Sequence, residues 1–103
     1  MGKLIEEDTK MKLSVYCVVK NDEFYLDMML KSALQFADEI VIVEDIKKYT
    51  DTPINKLCQS FKNDKIKYHN LEFGLEFGKA RQYAYEQCSG DWIFALDADE
   101  VIH

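Results

Sequence analysis

The sequence has little of what marks a linker, a membrane protein or a disulfide-stapled scaffold. Its 103 residues include one proline and four glycines, too few for a low-complexity segment. No uninterrupted apolar run approaches the roughly 18 residues of a membrane span. Met1 to Lys12 is polar and acidic, without the apolar core of a signal peptide, which predicts a cytosolic protein. Basic residues are outnumbered: 13 Lys and Arg against 19 Asp and Glu leave a net charge of −6. That balance argues against nucleic-acid binding, which is built on clustered positive charge. The three cysteines (Cys17, Cys58 and Cys88) are odd in number and form no Cys-x-x-Cys. They read as reduced thiols, not as a disulfide frame or a zinc site.

What is present is a chain of one-domain length with an ordinary apolar fraction of 48%. Residues 1–12 show no steady period and read as a flexible leader; 13–103 read as one α/β unit. LSVYCVV (Leu13 to Val19) and IVIV (Ile40 to Val43) are valine-rich apolar runs too short for helices, as strands buried on both faces require. Ile66 to His69 alternates and predicts a short edge strand, and WIFAL (Trp92 to Leu96) predicts a fourth buried strand. Three helical patterns lie between them. Leu26, Met29, Leu30, Ala33 and Ala37 form the first, with Asn21 as cap and Asp22, Glu23 and Asp27 in its early turns. Thr52 at N-cap and Pro53 at N1 open the second, whose face is Ile54, Leu57, Cys58 and Phe61. Gly74 and Gly78 break the chain before the third, whose face is Ala80, Tyr83, Ala84 and Cys88 and which Cys88-Ser89-Gly90 ends. Alternating strands and helices imply a mostly parallel four-stranded sheet in a Rossmann-like three-layer α/β/α arrangement.

Open parallel sheets bind ligands beyond the carboxyl ends of their strands. Here those ends carry Lys20-Asn21-Asp22-Glu23, Glu44-Asp45 and Asp97-Ala98-Asp99-Glu100. Single acids after strands are common turn formers and caps, the reading given to Asp22, Asp38 and Asp51. Asp-x-Asp directly after an apolar strand is different, because two close carboxylates raise each other's pKa unless a cation neutralises them. Oxygen-only ligands suit Mg²⁺ or Mn²⁺, which complete their shells with water and substrate phosphates. The aromatic set Phe24, Tyr25, Phe61, Tyr68, Phe73, Phe77, Tyr83, Tyr85, Trp92 and Phe94 reads as core and helix–sheet packing. His69 reads as exposed and inert.

Four ordered motifs carry a family resemblance: VVKNDE (18–23), DEIVIVE (38–44), GKARQYA (78–84) and GDWIFALDADE (90–100). From about Lys12 onward the chain resembles the inverting family-two nucleotide-sugar glycosyltransferases of the GT-A type, and most the bacterial branch that builds cell-wall and lipopolysaccharide sugars. The resemblance implies that Val18, Val19 and Glu23 cradle the base and ribose. It puts Glu44 at the strand-two carboxylate that receives a base N–H, and Arg81 near the base and diphosphate. Asp97 then faces the ribose and Asp99 is the metal ligand, with Mg²⁺ or Mn²⁺ bridging the donor diphosphate as a Lewis acid.

Two departures from the family stand out. The stretch EDIKKYTD (44–51) replaces the Asp-x-Gly-Ser-x-Asp loop common in relatives, which leaves Asp45 as a competitor to Glu44. Relatives also continue past the DxD into an acceptor half that holds the general base, which must lie within hydrogen-bond reach of the nucleophile. Only Glu100 to His103 follow Asp99 here. The expectation is a donor-binding half that is inactive alone and self-associates, or pairs with a complementary chain, along an exposed sheet edge. A non-catalytic nucleotide- or metal-binding module, or an interaction module that needs a partner chain, is the alternative. A receiver-like signalling domain fits less well, since Lys20-Asn21 stands where paired acids would follow strand one.

Overall fold

The computed structural model describes residues 11–19, 23–46, 52–72 and 77–96. The elements run β1 (Leu13–Val19), α1 (Glu23–Ala33), β2 (Glu39–Asp45), α2 (Pro53–Ser60), β3 (Ile66–Leu71), α3 (Phe77–Gln87) and β4 (Trp92–Ala95). The four strands form one sheet in the order β3-β2-β1-β4, and every adjacent pair is parallel. The expected parallel four-stranded α/β sheet is therefore present, with β4 beside β1.

The two central strands explain the two valine-rich runs. Side chains alternate across a strand, so Val15, Cys17, Val19, Ile40 and Ile42 line one face while Val41 and Val43 line the other. On the first face they meet Leu26, Met29, Leu30 and Ala33 of α1 and Ile54 and Cys58 of α2. On the second they meet Ala84 of α3, with Tyr16, Val18, Tyr83 and Cys88 packed at the margin. Leu26, Met29 and Leu30 are fully buried, each contributing roughly 1.5–3 kcal/mol through removal from water. Thr52 caps α2 as its sequence predicts, its hydroxyl accepting the Asn55 N–H at 3.1 Å ahead of Pro53 in the first turn.

Three expectations need correction. The fourth strand is not buried: β4 is an edge strand with Trp92 57% and Phe94 55% exposed. Its apolar run matches a buried strand, but beside β1 it is the last strand of the sheet among the described residues. The aromatics divide: Phe61, Tyr68 and Tyr83 are half-buried and pack against the core as expected, whereas Tyr25, Tyr85, Trp92 and Phe94 are exposed, and the side chains of Phe24, Phe73 and Phe77 lie outside the described residues. The closely apposed sheet and helices leave room for branched aliphatics and alanines, and rings sit at the edges. Gly78 does not precede the third helix but lies in its first turn, where an added Cβ would meet open space. The leader through residue 10, Asn21, Asp22, Phe73, Gly74 and residues 97–103 lie outside the described residues.

Candidate functional site

All four strands are parallel, so their carboxyl ends share one rim. There β1 ends at Val19, β2 at Glu44 and Asp45, and β3 at Asn70 and Leu71. The register pairs Val19 with Glu44 and Glu44 with Asn70. Val19 is buried beneath α1, and Val18 is half-buried on the α3 side. Glu44 and Asp45 are both nearly closed to solvent, at 3% and 5% exposure. Being adjacent on a strand, they face opposite sides of the sheet: Glu44 shares the α1/α2 face with Ile42, and Asp45 the α3 face with Val43.

Glu44 is held by two hydroxyls. Thr52 donates to its Oε1 at 2.6 Å, and Tyr68 donates to the same oxygen. The two hydroxyl oxygens stand 3.3 Å apart. Burial, then the hydrogen bond to the Glu44 carboxylate, pushes the Tyr68 phenol up to about 12. Burial and the nearby Glu44 charge likewise push the Cys58 thiol up to about 12. Both groups stay protonated at neutral pH, and Cys58 offers no thiolate to a metal.

On the other face, His69 is half-buried, not exposed and inert as its sequence context suggests. Its Nδ1 lies 3.3 Å from the Tyr83 hydroxyl, and the two rings meet edge to face with centroids 5.7 Å apart. Burial first, and then the Lys67 charge, lower its pKa and favour the neutral imidazole. Arg81 is exposed on α3, five residues into a helix that a right-handed crossover starts at the carboxyl rim. The side chain of Glu23, at the first position of α1, and Asp97, Asp99 and Glu100 lie outside the described residues. Among the described residues no group of three or more His, Cys, Asp or Glu could hold a metal ion.

A third buried carboxylate sits at the opposite, amino-terminal rim, and sequence reasoning missed it. Glu39, 6% exposed, accepts the Ser14 hydroxyl and the Ser89 N–H, each at 2.7 Å, and pairs with Lys67. Burial alone would raise its pKa. The bonds from Lys67, Ser89 and Ser14 outweigh it and bring the carboxyl down to about 2. The only sequence signal was an acid at the head of an apolar strand, opposite a serine at the same position of β1. That cluster joins elements at the rim remote from the crevice and reads as structural.

The comparisons with known proteins agree with this arrangement. Residues 14–103 match the family model described as glycosyl transferase family 2. The lipopolysaccharide core biosynthesis glycosyltransferase LpsC of Rhizobium meliloti (strain 1021) is 29% identical over 102 residues, covering 88% of this chain and 33% of LpsC. The crystal structure of S. aureus TarS residues 1–349 superposes with a TM-score of 0.71 at 28% identity, covering 89% of this chain and 28% of TarS. The same TarS segment in complex with UDP gives a TM-score of 0.72. The chain thus spans about a third of the curated relative it matches. No described helix is long and apolar enough to cross a membrane. With nearly nine-tenths of its residues inside the family model, and a solved structure superposing at a TM-score of 0.71, this chain belongs to glycosyl transferase family 2.

Proposed function

We propose that this chain is the donor-binding portion of an inverting glycosyltransferase, taking a nucleoside-diphosphate sugar for cell-envelope polysaccharide or lipopolysaccharide synthesis in the cytosol. The observation that carries the reading is the shared carboxyl rim. The all-parallel sheet gathers the ends of β1 and β2 there, and β4, bonded to β1 through the Leu96 N–H and Tyr16 carbonyl at 2.9 Å, runs toward it just before Asp97. The UDP complex of TarS and the part LpsC takes in lipopolysaccharide core biosynthesis support the nucleotide and the envelope product. Val18, Val19, Glu23 and Glu44 form the base and ribose side, with Arg81 toward the diphosphate and Asp97 toward the ribose. Asp99 would hold Mg²⁺ or Mn²⁺. The donor set fits a hard ion, since Asp97 and Asp99 offer oxygen only and the Cys58 thiol is buried and protonated. When bound, such an ion neutralises charge on the diphosphate leaving group.

In this reading the acceptor site and general base lie in the part of the relatives' length that this chain does not span, and donor binding is the property to test. Calorimetry with UDP, GDP, CDP and dTDP, in Mn²⁺ and then in EDTA, tests the reading. Metal-dependent binding of one nucleotide, lost in Asp99→Ala and weakened in Asp97→Ala, is the expected result. No binding to a folded sample would overturn it and favour the alternative, an interaction module that needs a partner chain. That second reading has its own observation. Val15, Phe36, Phe94 and Leu96 line an open apolar hollow of about 350 Å³ beside the free edge of β4, a surface that a second copy or a complementary chain would cover.

A further inference from the structure

The geometry around Glu44 carries a further step. Thr52 Oγ1 accepts the Asn55 N–H at 3.1 Å, so its single proton is the one it gives to Glu44. Tyr68 gives its own proton to the same carboxylate oxygen. A carboxylate oxygen offers about two lone-pair positions, and two O–H donors occupy those of Oε1. Among the described residues no hydrogen bond reaches Oε2. The carboxylate is therefore fixed in rotation with one oxygen saturated and one available, at the rim where β2 ends beside Val19.

We infer that Tyr68 and Thr52 are positioning residues for the nucleotide base: they hold Glu44 so that Oε2 receives a ring N–H of the base. This rests on the reading of Glu44 as the base contact. The chemical consequence is selectivity. Uracil, thymine and guanine carry a proton on the ring nitrogen of their pairing edge; cytosine and adenine carry a lone pair there. A locked carboxylate oxygen accepts from the first group and repels the second. A mobile carboxylate would discriminate less, because it could turn its charge away. Placing a buried acceptor with supporting hydrogen bonds is the usual way a site rejects a ligand that lacks the matching donor.

The test is calorimetric titration of UDP and CDP, in Mn²⁺, into the 103-residue chain and into Tyr68→Phe, Thr52→Val, Thr52→Ser and Glu44→Gln. CDP shares the ribose, diphosphate and metal of UDP, so it reports everything except the base contact. Tyr68→Phe and Thr52→Val are expected to weaken UDP roughly fivefold or more while CDP stays within about twofold. Thr52→Ser, which keeps the hydroxyl, is expected to retain the wild-type preference. A melting curve on each variant identifies any that fails to fold, and Tyr68→Phe removes only one atom from the network. Loss of UDP and CDP in equal measure would mean a merely structural role and would overturn the inference. If Glu44→Gln abolishes the preference and Tyr68→Phe keeps it, the base contact stands and the positioning role falls. A preference unchanged in Glu44→Gln, or absent from the wild type, refutes the base contact and the positioning role with it.

Discussion

Ser89, two residues past the end of α3, gives both its N–H (2.7 Å) and its hydroxyl (3.2 Å) to the carboxylate of Glu39, fifty residues earlier in the chain. The contact ties the α3–β4 turn to the first residue of β2, and Lys67 of β3 closes on the same carboxylate. Three strands and a helix end therefore converge on one ionised side chain.

Acid should loosen this junction. The folded Glu39 carboxyl titrates near 2 against an ordinary value of 4.5, so its contribution is complete above about pH 4.5 and fades as pH falls from 4.5 toward 2. Glu39→Gln is expected to cost on the order of 2 kcal/mol at pH 7 and to flatten that part of the stability profile. Urea unfolding of both proteins between pH 2 and 7 checks this. Parallel profiles would show that Glu39 is not the group responsible.

Gly90 admits no side chain where it stands. A Cβ there would lie 2.5 Å from Ser14 Oγ, 2.8 Å from the Lys12 carbonyl and 2.9 Å from the Ser14 nitrogen. Two of the three are backbone atoms, and the Gly90 N–H also donates to Ser14 Oγ at 2.8 Å. Gly90→Ala is expected to destabilise the fold by about 1–3 kcal/mol, by forcing β1 and the turn before β4 apart. A melting temperature equal to wild type would contradict this packing.

Lys62 follows α2 with φ of 48°, a left-handed conformation in which an L side chain crowds its own backbone. Lys62→Gly should stabilise the protein by about 0.5–1 kcal/mol, net of the greater freedom glycine gains when unfolded. Denaturant midpoints at matched slope measure it. Destabilisation would mean that the stem of Lys62 contributes packing that outweighs the strain.

Self-association should depend on β4. Trp92 and Phe94 lie on the α1 side of a sheet edge that pairs with no further strand among the described residues, with Phe36, 41% exposed, nearby. The double variant Trp92→Lys, Phe94→Lys is expected to shift sedimentation toward monomer with little change in melting temperature. A wild-type chain that stays strictly monomeric at high concentration would remove the case for a copy docking on that face.

Local pattern was sufficient for much of the fold. Short valine-rich runs could only be strands covered on both faces, Thr52-Pro53 could only open a helix, and strict alternation of strand and helix demanded a parallel sheet. From parallelism it followed that Glu44 and Asp45 stand at one carboxyl rim, and four ordered motifs carried the family resemblance. Burial was less legible. WIFAL carries the composition of a central strand, but the order of strands makes it an edge, and edge position is a property of the assembled sheet. The roles of the polar residues were hidden for the same reason. Thr52 announces itself as a cap, yet nothing local joins its hydroxyl to Glu44 or brings Tyr68 to the same oxygen from sixteen residues away. Ser14, Glu39, Lys67 and Ser89 are scattered over 76 positions and meet only once three strands are in register. Periodicity is written into neighbouring residues, whereas a hydrogen-bond partner is chosen by whatever the completed fold sets within 3 Å.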